Sequence, residues 1–387
     1  MRKSFFLPVL IISIISIQSC KKQEEVKPPE VPEELNEDIV AFNSYLEDEM
    51  STRNIPALSV MIFKKDEILF ENYLGKANIQ DNTNLTKDHL FLMASASKII
   101  TATALLQLYE YGHFSLDDNV NEYLSFDVSV PNYNDEITFR MLLTHTSGIA
   151  DGSVLDDHYY YGYDSPLPLD YFMEEYILPG GSFYNETENF GNFEPGTQYE
   201  YSNAGTTLMA LLVEEISSQD FDNYCIDKIF TPMGMNQTYW KLNKSKQSDF
   251  PIVTPYNFIN NQFDPIQNYS FTHYPSGGLR STGRDMMKFF SALANDGFYN
   301  NLHILNENTI DSMLSPQIQS LNNEMGFHIF LMDPINYLWG DDGAIKGAST
   351  IVGASPFSDM GVVILTNQGD VDLNDLLLEG YTLGMKL

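Results

Sequence analysis

Residues Leu58–Phe63 read LSVMIF and residues Ile68–Tyr73 read ILFENY, two runs rich in β-branched and large apolar side chains, parted by the polar Lys64-Lys65-Asp66-Glu67. Strand-like runs on either side of a short polar break predict a hairpin. From Ser95 to Tyr111 the apolar positions take helical spacing, and Gly112 supplies a natural stop. Between about Leu116 and Phe271, helical stretches such as Thr206–Ser217 alternate with loops rich in Asn, Tyr, Gly and Pro. Strand character returns at Ser349–Gly353 and Gly361–Thr366, and Asp372–Met385 reads as a closing helix. Strands at both ends around a helical middle predict a mixed α/β fold. An antiparallel sheet built from both chain ends packs against a mostly helical insertion, roughly residues 112–272. No internal repeat interrupts this reading.

The N-terminus follows a different pattern. Arg2 and Lys3 precede an apolar run from Phe5 to Ile17, which is too short for a convincing membrane span. The run ends in Ile17-Gln18-Ser19-Cys20, which resembles a bacterial lipoprotein box. That resemblance implies cleavage before Cys20 and lipidation of its thiol; the alternative is an ordinary signal peptide with a chance cysteine. Residues 1–19 are then a signal peptide. Residues 20–38, rich in Lys, Glu and Pro, form a solvated tether. The remaining cysteine, Cys225, lies in the helical pattern FDNYCIDKIF. It reads as a small buried apolar residue rather than a nucleophile. With Cys20 lipidated, no intrachain disulfide can form. Composition adds one exclusion. A formal net charge of −32 over 387 residues repels phosphate backbones, so nucleic acid is not an expected partner.

Several chemistries leave no trace. The chain has no H-E-x-x-H, G-x-G-x-x-G, G-K-[ST] or G-x-S-x-G motif, and its seven histidines lack ligand spacing. Met93-Ala94-Ser95-Ala96-Ser97-Lys98 is more informative. Ser95 and Lys98 are three apart at a helix start and so share a face. A serine hydroxyl becomes a nucleophile once a neighbouring group takes its proton, and an amine can do so. S-x-x-K alone is weak, since Ser19–Lys22 matches by accident, and Ser95 could simply cap the helix. Tyr201-Ser202-Asn203 follows the turn signal Pro195-Gly196-Thr197 and precedes a helix. A tyrosine there could act as a base if cations lowered its pKa, and an asparagine amide could hold a substrate carbonyl. This spacing also recurs by chance, at Tyr299-Asn300-Asn301.

The ordered combination resembles the serine β-lactamase-like family, which includes class C β-lactamases, penicillin-binding D,D-peptidases and related esterases. FLMASASKIITATALLQLYEYGHFSLDDNV is similar to that family's nucleophile helix. ITFRMLLTHTSGI, FEPGTQYEYSNAGTTLMALLVEEIS, IFTPMGMNQTYW and SGGLRSTGRDMMKFF are similar to further family segments, so the likeness runs from about Asn43 to Thr366. The resemblance implies Ser95 as the acylated nucleophile, Lys98 and Tyr201 as proton-transfer partners, and Asn203 as a substrate contact. It implies a structural rather than catalytic role for His145 in LLTHTSG. The family's third motif, K-T-G or H-x-G, aligns with Asp341-Asp342-Gly343 in LWGDDGAIKG. Strand neighbours point to opposite faces, so Asp341 alone of the two acids should face the site. There it would turn the site away from carboxylate-bearing substrates. Gly343 completes the motif, and the backbone N–H of Ala344 would join that of Ser95 in an oxyanion hole. Lys346 is the alternative occupant of the cation position, shifted along the strand.

Residues 39–387 are therefore expected to form one serine hydrolase domain. It would cleave an ester or amide through an acyl-enzyme, without metal or cofactor. Expected partners are a small-molecule or peptide substrate and, through Cys20, a membrane; a single chain suffices. The expected place is the bacterial cell envelope, on the periplasmic or cell-surface side. Two other readings share these motifs: a degenerate member that binds cell-wall or peptide ligands without catalysis, and a true β-lactamase or D,D-carboxypeptidase.

Overall fold

A computed structural model describes residues 33–387; the signal peptide and Cys20 lie outside the described residues. Seven strands form the main sheet: β1 (Ala57–Lys64), β2 (Glu67–Asn78), β3 (Thr83–Asn84), β4 (Phe330–Asp333), β5 (Leu338–Ile345), β6 (Ala348–Ser355) and β7 (Met360–Thr366). Their spatial order is β4-β5-β6-β7-β1-β2-β3, antiparallel throughout. The two chain ends meet where β1 pairs with β7, from Leu58 opposite Thr366 to Lys64 opposite Met360. The joining of both ends in one sheet is thus observed, as the sequence pattern implied.

Alternation explains why the central strands are almost wholly apolar. In β1, Leu58, Val60 and Ile62 enter one core, while Met61 and Phe63 enter the other. In β7, Val362 and Ile364 face the first core, and Val363 and Leu365 the second. A strand covered on both faces needs apolar residues at consecutive positions.

Five helices matter for the site: α1 (Glu33–Thr52), α2 (Ser97–Glu110), α3 (Asn203–Ser217), α4 (Gly283–Ala294) and α5 (Asn374–Gly384). One sheet face is covered by α1 and α5, whose Phe42, Leu46, Leu376, Leu377 and Tyr381 join the first core. On the other face α4 lies against β1, β6 and β7. Helix α2 is buried from Ser97 to Leu108, as expected of a helix apolar on all sides, and packs against α3.

Two boundaries differ from the sequence reading. Helix α1 begins at Glu33, inside the stretch read as a tether to residue 38. Its charges hid a stripe of Ile39, Phe42, Leu46 and Met50 that packs on the sheet. The insertion between β3 and β4 covers residues 85–329, because the chain returns to the sheet only at Phe330. It holds short ribbons as well as helices, including Tyr159–Tyr161 paired with Tyr269–Phe271.

Candidate active site

Ser95 lies in a tight turn, Ala94–Ala96, that leads into α2. Ala94 adopts φ +47°, a left-handed conformation that costs a residue bearing a Cβ. Hydrogen bonds hold the turn on both sides: Met93 N donates to Leu279 O at 2.8 Å, and Thr350 Oγ1 donates to Met93 O at 2.9 Å. No side chain caps α2, so Ser95 is not the helix cap its position allowed.

Its hydroxyl is engaged elsewhere. Tyr201 OH donates to Ser95 Oγ at 2.8 Å, and Lys98 Nζ lies 3.2 Å from the same oxygen. Lys98 Nζ also donates to the carbonyl of Ser276 at 2.5 Å and stands 4.8 Å from the centre of the Tyr201 ring. Thr101 Oγ1 donates to Pro275 O at 2.8 Å and so ties the Ser276 turn to α2. Two side chains from separate sequence motifs, Lys98 and Tyr201, therefore converge on the Ser95 oxygen.

Asn203 opens α3, where Ser202 is the cap and accepts from Gly205 N at 2.8 Å. Its amide Nδ2 donates to Asp151 at 2.7 Å, and the same carboxylate takes the backbone N–H groups of Asn203 and Ala204. Asp151 thus fixes the helix start and the Asn203 side chain together. Asn203 lines a cavity of about 120 Å³ with Ser95, Tyr159, Phe271, His273 and Ala344.

Strand β5 closes the other side. Its outer edge pairs with β4 only as far as Gly340, so Asp341 to Ile345 have no strand partner there among the described residues. Asp341 and Gly343 are buried while Asp342 is exposed, which separates the two acids by face. A methyl group built on Gly343 would sit 2.7 Å from Ser95 N, so only glycine leaves that N–H open. Lys346 is exposed in the turn between β5 and β6. Its Nζ rests 4.1 Å from the centre of the Tyr159 ring. It borders the cavity wall and does not replace a lysine on the inner face of β5.

Burial sets the electrostatics. It pushes the Lys98 ammonium below its ordinary range, and the Asp341 and Asp151 carboxylates pull only part of the way back. It pushes the Asp341 carboxyl well above the usual carboxylate range, with Lys98 offsetting part of the rise. The Tyr201 phenol is raised well above 10, first by burial and then by Asp341, while its hydrogen bond to Ser95 opposes this.

His145 is not among the hydrogen-bond partners of Ser95 Oγ, which are Tyr201 and Lys98. Its Nδ1 accepts from Ser202 N at 3.2 Å, and its ring stacks on His328 at 4.1 Å and meets the Tyr201 ring at a tilt, centres 4.6 Å apart. His328 bridges Leu143 O and Thr206 Oγ1 through its two ring nitrogens. Burial holds both imidazoles below their usual pKa, so they form an uncharged floor beneath Tyr201. Cys225 is fully buried, and burial pushes its thiol pKa well up. Among the described residues no group of three or more His, Cys, Asp and Glu side chains could hold a metal ion. Sequence reasoning missed Asp151, Ser276 and His328. Asp151 lacks a recognisable spacing, Ser276 acts through its backbone carbonyl, and His328 meets its partners only in the fold.

The family model described as Beta-lactamase matches residues 42–377. The chain belongs to the Beta-lactamase family. This family member is 21% identical over 348 residues to Protein flp of Staphylococcus aureus (strain MRSA252), covering 84% of this chain and 62% of that protein. It thus spans about three fifths of that relative's length. A solved octameric penicillin-binding protein homologue from Pyrococcus abyssi superposes with a TM-score of 0.70 at 21% identity, over 90% of this chain and 77% of the other. D-amino acid amidase from Ochrobactrum anthropi SV3, solved with L-phenylalanine amide, gives 0.65 at 22% identity, over 91% and 99%. At these identities the structural likeness speaks for the fold of this Beta-lactamase family member.

Proposed function

We propose that this chain is a serine hydrolase that cleaves an ester or amide bond through an acyl-enzyme. The observation that carries the reading is Ser95 Oγ held between Tyr201 OH at 2.8 Å and Lys98 Nζ at 3.2 Å. The roles divide by proton affinity. Burial weakens the hold of Lys98 on its proton and strengthens that of Tyr201. The neutral Lys98 amine therefore takes the Ser95 proton as the oxygen attacks the carbonyl carbon. The tetrahedral oxyanion is met by the N–H groups of Ser95 and Ala344. Tyr201 gives its proton to the leaving atom and regains one from Lys98. Water then enters by the same route, bonds to the acyl carbon and returns Ser95 to its hydroxyl form. The amidase among the structural relatives supports an amide or ester substrate. The lipoprotein-like ending at Cys20 supports tethering of a single chain to the bacterial envelope.

Intact-mass analysis after a fluorophosphonate or penicillin probe tests the reading. One adduct is expected on the native chain and none on Ser95→Ala. No adduct with either probe would leave a ligand-binding protein instead. For the anchor, detergent-phase partitioning should be lost in Cys20→Ala.

A further inference from the structure

His273 lines the same cavity as Ser95, and the proton transfers described above do not use it. Only 6% of the residue is exposed. Its Nδ1 is sealed in and has no hydrogen-bond partner among the described residues; its Nε2 bonds none of them either but is not sealed in. An imidazole shut away from water with idle nitrogens is costly, and a ligand group that reaches it relieves the cost. The ring is held in place. Its centre lies 4.6 Å from that of Phe271 and 6.2 Å from that of Tyr159, edge to face, and both of these rings also line the cavity. Its backbone is tied to the surroundings of the nucleophile. Ser276 Oγ and N donate to His273 O at 2.8 and 3.0 Å, and the Ser276 carbonyl in turn takes Lys98 Nζ. Burial first, then Lys98 and His158, push the imidazole pKa down to about 3, so the neutral ring offers one donor and one acceptor.

The cavity belongs to the acyl half of the substrate. Ala344, whose N–H meets the oxyanion, stands in its wall, whereas Tyr201, which serves the leaving atom, is not among its lining residues. What stays on Ser95 after the leaving group departs therefore sits here. No carboxylate, lysine or arginine among the described residues lines the cavity, so an ionised acyl group would find no counter-charge in its wall. Its volume of about 120 Å³ is below the roughly 150 Å³ that houses a benzene ring, so the acyl group is short. A hydroxyl both gives and takes a hydrogen bond, suits either tautomer of the ring and adds only one heavy atom. We propose that His273 selects short acyl groups bearing a neutral hydroxyl, so that small hydroxyacyl esters or amides are the preferred substrates. This rests on the serine hydrolase reading.

The test uses the full chain and the 4-nitrophenyl esters of 3-hydroxybutanoic acid and of its isostere 3-methylbutanoic acid. Nitrophenol release gives kcat/KM for each, divided by that ester's rate with hydroxide. The hydroxy ester should exceed its isostere by at least about tenfold, the scale of leaving one buried polar group unpaired. His273→Phe keeps a planar ring without nitrogens and should bring the two rates to within about twofold. His273→Gln still offers a donor and an acceptor and should retain a preference of at least about threefold. Equal rates in the wild type overturn the subsite without any variant. So does an unchanged ratio in His273→Phe, or a His273→Gln ratio no better than that of His273→Phe. Fluorophosphonate labelling of Ser95, run beside these assays, keeps the two ideas separate. Labelling with no preference, or with no turnover of the hydroxy ester, sinks the subsite alone; no labelling sinks the hydrolase.

Discussion

Gly343 lies so close to Ser95 that a methyl group on it would come within 2.7 Å of the serine's backbone nitrogen. The contact links the unpaired end of β5 to the turn that carries Ser95. Gly343→Ala should therefore obstruct the oxyanion position or push β5 outward. The expected loss in kcat is about a hundredfold, the scale of losing one oxyanion donor, with little change in thermal midpoint. Full activity in Gly343→Ala would show that the Ser95 N–H is not used.

Lys98 and Tyr201 meet on one oxygen and should behave as a unit. Lys98→Ala and Tyr201→Phe should each lower kcat/KM by at least about a thousandfold, and the double variant should be scarcely worse than either. Multiplying losses would mean that the two groups act independently.

The pH profile follows from the buried charges. If the neutral Lys98 amine is the base, kcat/KM rises with pH as its proton leaves. Asp341 and Asp151 hold that proton in place. Asp341→Asn removes one of these charges, lowers the Lys98 pKa further and should move the acid limb to lower pH. An unmoved limb, or one displaced to higher pH, contradicts the assignment of Lys98 as the acceptor.

Helix α1 should be part of the folded unit. Leu46 is fully buried between α1 and the sheet. Leu46→Ala should cost about 2–5 kcal/mol of stability in denaturant unfolding, with probe labelling of Ser95 intact in the folded fraction. A cost within experimental error would mean that α1 is only loosely attached.

Much of this was legible in the chain itself. The apolar runs at Leu58–Phe63 and Gly361–Thr366 marked strands at both ends, and the residues around Ser95, Lys98 and Tyr201 announced a cluster that the fold assembles. Asp341 could be separated from Asp342 because strand geometry sorts neighbours by face. Other parts had no linear signature. Helix α1 hides its apolar stripe among acidic residues, and the Ser276 carbonyl belongs to no side-chain motif. Asp151 and His328 become informative only when distant segments meet at Asn203 and Thr206. The charge state of Asp341 was equally hidden, since it depends on burial rather than on residue type.

The pairing of β1 with β7 also governs the order in which the molecule can be made. Leu58 waits for Thr366, a partner roughly 300 residues downstream, before the central sheet can close. Until Met360–Thr366 have emerged, the inner edges of β1 and β6 stay open to wrong partners, as any exposed strand edge is. Strand β5, which brings Gly343 against Ser95, is registered through β6 and β7 onto β1. A nascent or C-terminally shortened chain can thus form the Ser95 helix early and still lack a working cleft.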